Sequence, residues 1–370
     1  MFDRTRVAIV IPIYQETMTE AEEISLRQVL KKLGEYDFYY ICPESLKLTD
    51  RNEKISIQRF QDQWLSSWRK YSALMLQSEL YKRFSEYEYI LIYQLDAFVF
   101  SDDLQQFCDL GFDYIGAPWL HGLMHYVNKD NIIQWIGNGG LSLRKVSAFL
   151  NWLENVDLSE YIDTVGEDIL ISAYGKDFLK IADKETALQF SFDMDPKGSY
   201  RENHFRLPFG CHAWQRYGLE FWRPFIEKEG FCLQNVTPSG DYEGLQRSYQ
   251  LWDERNRLLE NIISKSETSV ESLTGNGKKE LYIWGTGAWG TLLARLYKEL
   301  GITIAGYIDN KSSVSVFREY PVHRGSDINI DFFKGRVILV AVVESAEIEE
   351  QIEENGGRRG RDYITVKDMM

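Results

Sequence analysis

Residues Val7–Tyr14 read Val-Ala-Ile-Val-Ile-Pro-Ile-Tyr, a continuous apolar run rich in β-branched side chains. A strand with one wet face alternates apolar and polar residues; a run that does not alternate must be covered on both faces, as in a parallel sheet flanked by helices. Tyr89–Tyr93 (Tyr-Ile-Leu-Ile-Tyr) repeats the pattern, and Phe38–Cys42 reads as a strand between them. Glu20–Leu33 has helical apolar spacing. Ile57–Phe84 predicts one or two further helices. Its Trp64, Trp68, Tyr71, Leu74, Met75, Leu80 and Tyr81 fall mainly at three- and four-residue steps, and those aromatics are expected in the core. Asp113–Ile115 and Leu141–Leu143 read as short strands, after which periodicity fades to about residue 230. The expected fold class is α/β, a mostly parallel sheet with helices on its faces.

With 370 residues the chain exceeds what one core usually organises. Ser264–Lys279 (SKSETSVESLTGNGKK) is polar and Gly/Ser-rich, so we expect a flexible linker there, dividing residues 1–263 from 280–370. Beyond it come a strand at Leu281–Trp284, a glycine turn, a helix at Leu292–Leu300, and strands at Ile302–Ile308 and Val337–Val343. Gly285, Gly287 and Gly290 follow a strand and open a helix, and Asp309 closes the next strand. That is the context of a dinucleotide fingerprint, with pyrophosphate on the helix N-terminus and the acid on ribose hydroxyls. The segment is too short to add a catalytic domain. It reads as a small Rossmann-like module, holding NAD or a nucleotide-sugar, or serving docking and homo-oligomerisation.

Lys plus Arg number 42 against 56 Asp plus Glu, a net charge of −14, which disfavours nucleic acid or anionic lipid as a partner. The longest apolar runs are far short of a bilayer span, so no transmembrane segment is expected. The N-terminal run is broken by Pro12 and passes into acidic sequence, unlike a signal peptide. Cys42, Cys108, Cys211 and Cys232 show no metal-ligand spacing and read as reduced thiols in a cytoplasmic protein.

Four local patterns carry chemistry. Gln94-Leu95-Asp96 follows an apolar strand, where open α/β sheets bind ligands, and Asp96 can offer a carboxylate to a hard cation such as Mn²⁺ or Mg²⁺. Gly137-Asn138-Gly139-Gly140 reads as a tight turn before a strand, or as backbone that approaches a ligand closely. Gly166-Glu167-Asp168 precedes helical sequence, so one acid can cap that helix while the other faces a pocket. His212, in Pro208-Phe209-Gly210-Cys211-His212-Ala213-Trp214, is either a metal ligand or a core histidine.

In this order the patterns resemble the GT-A core. Tyr93-Gln94-Leu95-Asp96-Ala97, Asp113-Tyr114-Ile115-Gly116-Ala117-Pro118-Trp119, Gly137–Arg144 and Glu167-Asp168 look like the signature blocks of a bacterial and fungal family long catalogued as a domain of unknown function and regarded as glycosyltransferase-like. The resemblance spans roughly residues 5–225 and implies a nucleotide-sugar-binding mixed sheet. It implies Asp96 and His212 as metal ligands, Asp168 as the base that deprotonates an acceptor hydroxyl, and Glu167 as its support. It further implies Pro12, Tyr14 and Gln94 near the donor nucleotide, and Trp119, Asn138, Gly139 and Gly140 on the acceptor or donor-sugar side. The usual Asp-x-Asp stands here as Gln94-Leu95-Asp96, with the second acid alone. The expected activity is inverting hexosyl transfer from a nucleoside-diphosphate sugar, a UDP-sugar foremost, to a glycan, glycoprotein or lipid-linked hydroxyl in surface glycan synthesis. The competing readings are a sugar-modifying enzyme centred on the C-terminal glycines and a non-catalytic sugar-binding protein.

Overall fold

A computed structural model describes residues 6–48, 52–120, 125–128, 131–133, 137–159, 161–162 and 165–369; the side chains of 125–128, 131–133, 247–259 and Ala288 lie outside that description. Contacts divide the chain into two units, Met1–His125 with Ile133–Trp252, and Tyr126–Ile132 with Asp253–Met370.

The strands of the first part of the chain are β1 (Val7–Pro12), β2 (Asp37–Pro43), β3 (Ile55–Phe60), β4 (Tyr89–Tyr93), β5 (Phe98–Val99) and β6 (Tyr114–Ala117). After the two-stranded sheet of β7 (His125–Asn128) and β8 (Asn131–Ile133) come β9 (Asn138–Lys145), β10 (Ser191–Phe192) and β11 (Gly210–Cys211). Six of them form the main sheet of the first unit in the order β3-β2-β1-β4-β9-β6. β3, β2, β1 and β4 run parallel, and β9 is antiparallel to both β4 and β6. The expected α/β class is therefore what forms, a mixed sheet rich in parallel pairs. Every residue of β1 is buried, as its unbroken apolar run requires. A small sheet, β10-β11-β5, lies in the same unit.

The helices of this unit are α1 (Glu20–Leu33), α2 (Trp68–Leu74), α3 (Ser78–Lys82), α4 (Leu104–Asp109), α5 (Val146–Asn155), α6 (Glu167–Tyr174), α7 (Lys184–Phe190), α8 (Pro196–Glu202) and α9 (Leu219–Lys228). α1 starts on a capping box in which Thr19 and Glu22 satisfy each other's backbone. Its Ser25 carbonyl accepts the Tyr93 hydroxyl at 3.0 Å, and its Ser25 hydroxyl accepts the Trp214 indole N–H at 3.0 Å, fixing the end of β4 against the loop after β11.

Two expectations need correction. The region read as purely helical, Ile57–Phe84, begins inside the strand β3, because Ile55 and Ile57 alternate with polar residues at the sheet edge. Ser264–Lys279 is not an irregular linker: the helix α10 runs from Tyr242 to Thr274. Its polar composition hides a stripe at four-residue steps, Ile262, Ser266, Val270 and Thr274, all buried. The Ser266 hydroxyl pairs with that of Tyr297 at 2.6 Å.

The second unit contains β12 (Glu280–Trp284), α11 (Ala288–Glu299), β13 (Ile304–Ile308), β14 (Val316–Phe317), β15 (Tyr320–His323), β16 (Arg336–Val340), α12 (Ala346–Glu354) and β17 (Tyr363–Thr365). Its sheet order is β14-β15-β13-β12-β16-β17, parallel except for the β14–β15 hairpin. β12 pairs with β13 on one side and β16 on the other, so the strand order reverses beside the glycine turn that follows β12.

Candidate functional site

The end of β4 is held tightly. The Gln94 N–H donates to the Gly140 carbonyl at 2.9 Å, Ala97 N–H to the Gln94 carbonyl at 2.9 Å, and Trp214 N–H to the Asp96 carbonyl at 3.2 Å. This turn brings Gln94 and Asp96 to His212, which follows β11. His212 Nε2 stands 3.3 Å from Asp96 Oδ1 and 3.1 Å from Gln94 Oε1, while its Nδ1 is 3.1 Å from Asp193 Oδ1. Burial disfavours a charged imidazole, but Asp96 and Asp193 outweigh it and raise the His212 pKa well above the ordinary value. Burial likewise pushes the Asp96 carboxyl up, and His212 outweighs it, leaving the Asp96 pKa lowered.

Asp96 Oδ1 is enclosed with His212 Nε2 as its ion-pair neighbour at 3.3 Å, and a divalent cation bound here would displace the proton between them. Two donors at right angles on a cation with bonds of about 2.1 Å are separated by about 3 Å, close to the gap between Oδ1 and Nε2. Asp193 on the opposite ring nitrogen is the orienting partner that metal-bound histidines have. Among the described residues no group of three or more His, Cys, Asp or Glu is arranged around one point, so Asp96 and His212 can supply part of a coordination shell that phosphate and water complete.

Residues Asn138–Gly140 do not form a turn before the strand but are the first part of β9 itself. Their glycines are demanded by close approach. A Cβ on Gly140 would lie 2.1 Å from His212 Nε2, and one on Gly139 would lie 2.3 Å from Glu167 Oε1. Glu167 is the buried first residue of α6. The Ser72 hydroxyl of α2 donates to Glu167 Oε2 at 2.7 Å and accepts the Glu167 backbone N–H at 2.6 Å. Arg144, fully buried in β9, faces Glu167 Oε1 at 3.5 Å and donates to Ser142 Oγ, Tyr81 Oη and the Gly139 carbonyl. Glu167 is thus fixed by its neighbours, and the N-cap residue of α6, Gly166, has no side chain with which to cap the helix. Asp168 is less restrained: its Oδ1 accepts the Ile169 N–H at 2.8 Å. Burial, then the charge of Glu167, push its carboxyl up to about 7, with Asp193 adding to the rise.

Asp96 lines two cavities. One of about 390 Å³ has Pro12, Tyr14, Trp68, Tyr71 and Gln94 in its wall; the other, of about 520 Å³, has Met194, Arg216, Tyr217 and Asp241. Tyr14, Pro12, Gln94 and Asp96 therefore share the wall of the first cavity. Asn138 spends its Oδ1 on the Gly140 N–H at 2.7 Å. Trp119 is 6% exposed and lies in the wall of neither cavity.

Residues 54–212, which carry Asp96, Glu167, Asp168 and His212, match a family described as "Protein of unknown function (DUF5672)". No curated protein matches the chain. Among solved structures, an active-site mutant of LgtC is 14% identical over 60% of this chain and 95% of that one, at a TM-score of 0.40. A glycosyltransferase involved in glycosylation of the major capsid of PBCV-1 is 12% identical over 61% and 99%, at 0.36. Core-mannan synthase A from Aspergillus fumigatus, in its Mn/GDP form, is 8% identical over 48% and 72%, at 0.34.

In the second unit, Gly285 takes φ +112° and Gly290 lets α11 approach the Gly285 carbonyl, where a Cβ would lie at 1.9 Å; Gly287 has open space. Asp309 is occupied within the turn. Its Oδ2 accepts from Thr286 N–H and Oγ1 at 2.9 and 2.6 Å, and its Oδ1 from Lys311 and Ser312 N–H at 2.8 and 2.9 Å. The residues that sequence reasoning missed are Ser72, Arg144 and Asp193, and Arg144 lay inside a quoted block. Trp68 and Tyr71 were expected in the core.

Proposed function

We propose that this chain is a glycosyltransferase, moving a hexose-type sugar from a nucleoside-diphosphate sugar, a UDP-sugar by family resemblance, onto the hydroxyl of a glycan, glycoprotein or lipid-linked acceptor in surface glycan synthesis. The observation that carries the reading is the convergence of Asp96 and His212, 3.3 Å apart, at a cavity whose wall also holds Pro12, Tyr14 and Gln94. Burial and Glu167 raise the Asp168 carboxyl toward the range in which a general base works near neutral pH.

In this mechanism Asp168 takes the proton of the acceptor hydroxyl. The acceptor oxygen bonds to the anomeric carbon as the bond from that carbon to the diphosphate oxygen breaks, and the diphosphate leaves with the electron pair. Attack from the side opposite the leaving group inverts the anomeric centre. Mn²⁺ or Mg²⁺ held by Asp96 and His212 would offset the charge growing on the diphosphate. Glu167, itself fixed by Ser72 and Arg144, adds its charge to the burial that raises the basicity of Asp168.

The test uses the full chain with a panel of UDP-, GDP-, dTDP- and CMP-sugars and Mn²⁺, with water as the acceptor, and measures nucleotide release. One donor class should be hydrolysed. Asp168→Asn should lower its rate by about 10²–10⁴-fold while nucleotide affinity holds. Full activity in that variant would remove Asp168 from the mechanism.

A further inference from the structure

α2 presents two aromatic side chains to the same cavity that Asp96 lines. Trp68 is 63% exposed although the helix buries Ser72, Ala73 and Leu74 behind it. Tyr14, in the wall of the same cavity, is 58% exposed. The Tyr71 hydroxyl is the reverse case. It is buried, its side-chain neighbour is Gln94, and no group among the described residues meets it in full hydrogen-bond geometry. Folding leaves such a donor unsatisfied at a cost unless a ligand completes it.

We propose that Trp68 and Tyr71 hold the nucleoside half of the donor, the indole covering one face of the base and the Tyr71 hydroxyl bonding to a polar group on the base or ribose. The identity of the ligand rests on the glycosyl-transfer reading above. Charge decides which half of the nucleotide lies here. Among its described lining residues the cavity has no Lys or Arg, and its ionisable carboxylates, Glu22 and Asp96, repel a bare phosphate. Glu22 Oε2 is already committed to the Thr19 N–H and hydroxyl at 2.7 and 2.8 Å. What the wall offers is flat apolar surface with neutral hydrogen-bonding groups, which suits a base and ribose. Ser66 and Ser67, also in the wall, are engaged within the protein: the Ser66 hydroxyl donates to the Gln63 carbonyl at 2.8 Å and the Ser67 hydroxyl accepts the Lys70 N–H at 3.3 Å. The diphosphate is then left at the Asp96 end. Ser72, one residue past Tyr71, grips Glu167. A single short helix therefore connects the ligand's ring to the segment that carries the base.

The experiment is calorimetric titration of the full chain with UDP, GDP, CDP, dTDP and ADP, each with Mn²⁺, then of Trp68→Ala and Tyr71→Phe with the diphosphate that binds. Trp68→Ala should weaken binding roughly tenfold and Tyr71→Phe roughly five- to twentyfold, while inorganic pyrophosphate with Mn²⁺ binds all three proteins alike. Because Trp68 is exposed, its variant should fold even if Tyr71→Phe does not. Unchanged diphosphate affinity in the variants, or an equal loss for pyrophosphate, overturns the assignment and leaves the transfer reading standing. Failure of every diphosphate to bind the unaltered chain overturns both.

Discussion

Asp168 and Glu167 are adjacent acids with different surroundings, and the difference can be measured as a pH profile. In the proposed mechanism Asp168 works as a carboxylate, so kcat/KM should rise with pH and level off above about 7. Glu167→Gln removes a negative neighbour that raises the Asp168 pKa, so the acidic limb should move to lower pH. An unmoved limb would separate Glu167 from the base. The same shift predicts a stability effect. The folded state binds the Asp168 proton more tightly than the unfolded chain, so this contribution is complete below about pH 3.8 and is lost as pH rises through about 7. Asp168→Asn should therefore stabilise the protein at pH 8, on the order of 2 kcal/mol by urea unfolding, while slowing turnover by about 10²–10⁴-fold. At this scale the sequence singled out the acids and the histidine because each stands in a recognisable block close to the end of an element. It did not name Ser72 or Asp193. Ser72 reaches Glu167 across 95 residues and Asp193 reaches His212 across 19, and no local spacing encodes either contact.

β9 is the element on which the site depends. Gly140→Ala would drive a methyl into the His212 ring, so Mn²⁺-dependent nucleotide binding should fall at least about tenfold, read by calorimetry, with the fold intact. Arg144→Ala leaves Glu167 buried without its counter-charge and should cost about 3–5 kcal/mol by urea unfolding. These glycines were visible in the sequence, but their reason was not: a turn and a strand that accommodates two side chains both favour glycine, and only the packing of His212 and Glu167 distinguishes them. The long parallel strands were legible because burial on both faces forces an unbroken apolar run. α10 was missed because its buried stripe contains Ser266 and Thr274, which satisfy their hydroxyls internally and read as polar linker. β3 was missed because it shares its aromatic-rich neighbourhood with α2.

At the scale of the whole chain, two units each have their own sheet, and the division at Trp252–Asp253 falls inside α10. Among the described residues no helix is long and apolar enough to cross a membrane. In the second unit Asp309 joins the glycine turn to the loop after β13, and its four donors, led by Thr286, hold its pKa below the ordinary range despite burial. That stabilisation is present above the unfolded carboxylate value and is lost as pH falls through the lower folded one. Asp309→Ala should accelerate amide hydrogen exchange at Thr286, Lys311 and Ser312 at neutral pH; unchanged exchange there would show that the turn holds without it. The central claim concerns the first unit, and a thermal-shift panel of UDP, GDP, CMP, dTDP and NAD on the full chain, with and without Mn²⁺, tests it most directly. A ligand specific to the folded state stabilises it by about 2.7 kcal/mol at 100 times its dissociation constant. The account predicts a Mn²⁺-dependent shift with one nucleoside diphosphate that disappears in Asp96→Ala. A shift with NAD alone, unaffected by Asp96→Ala, would contradict it.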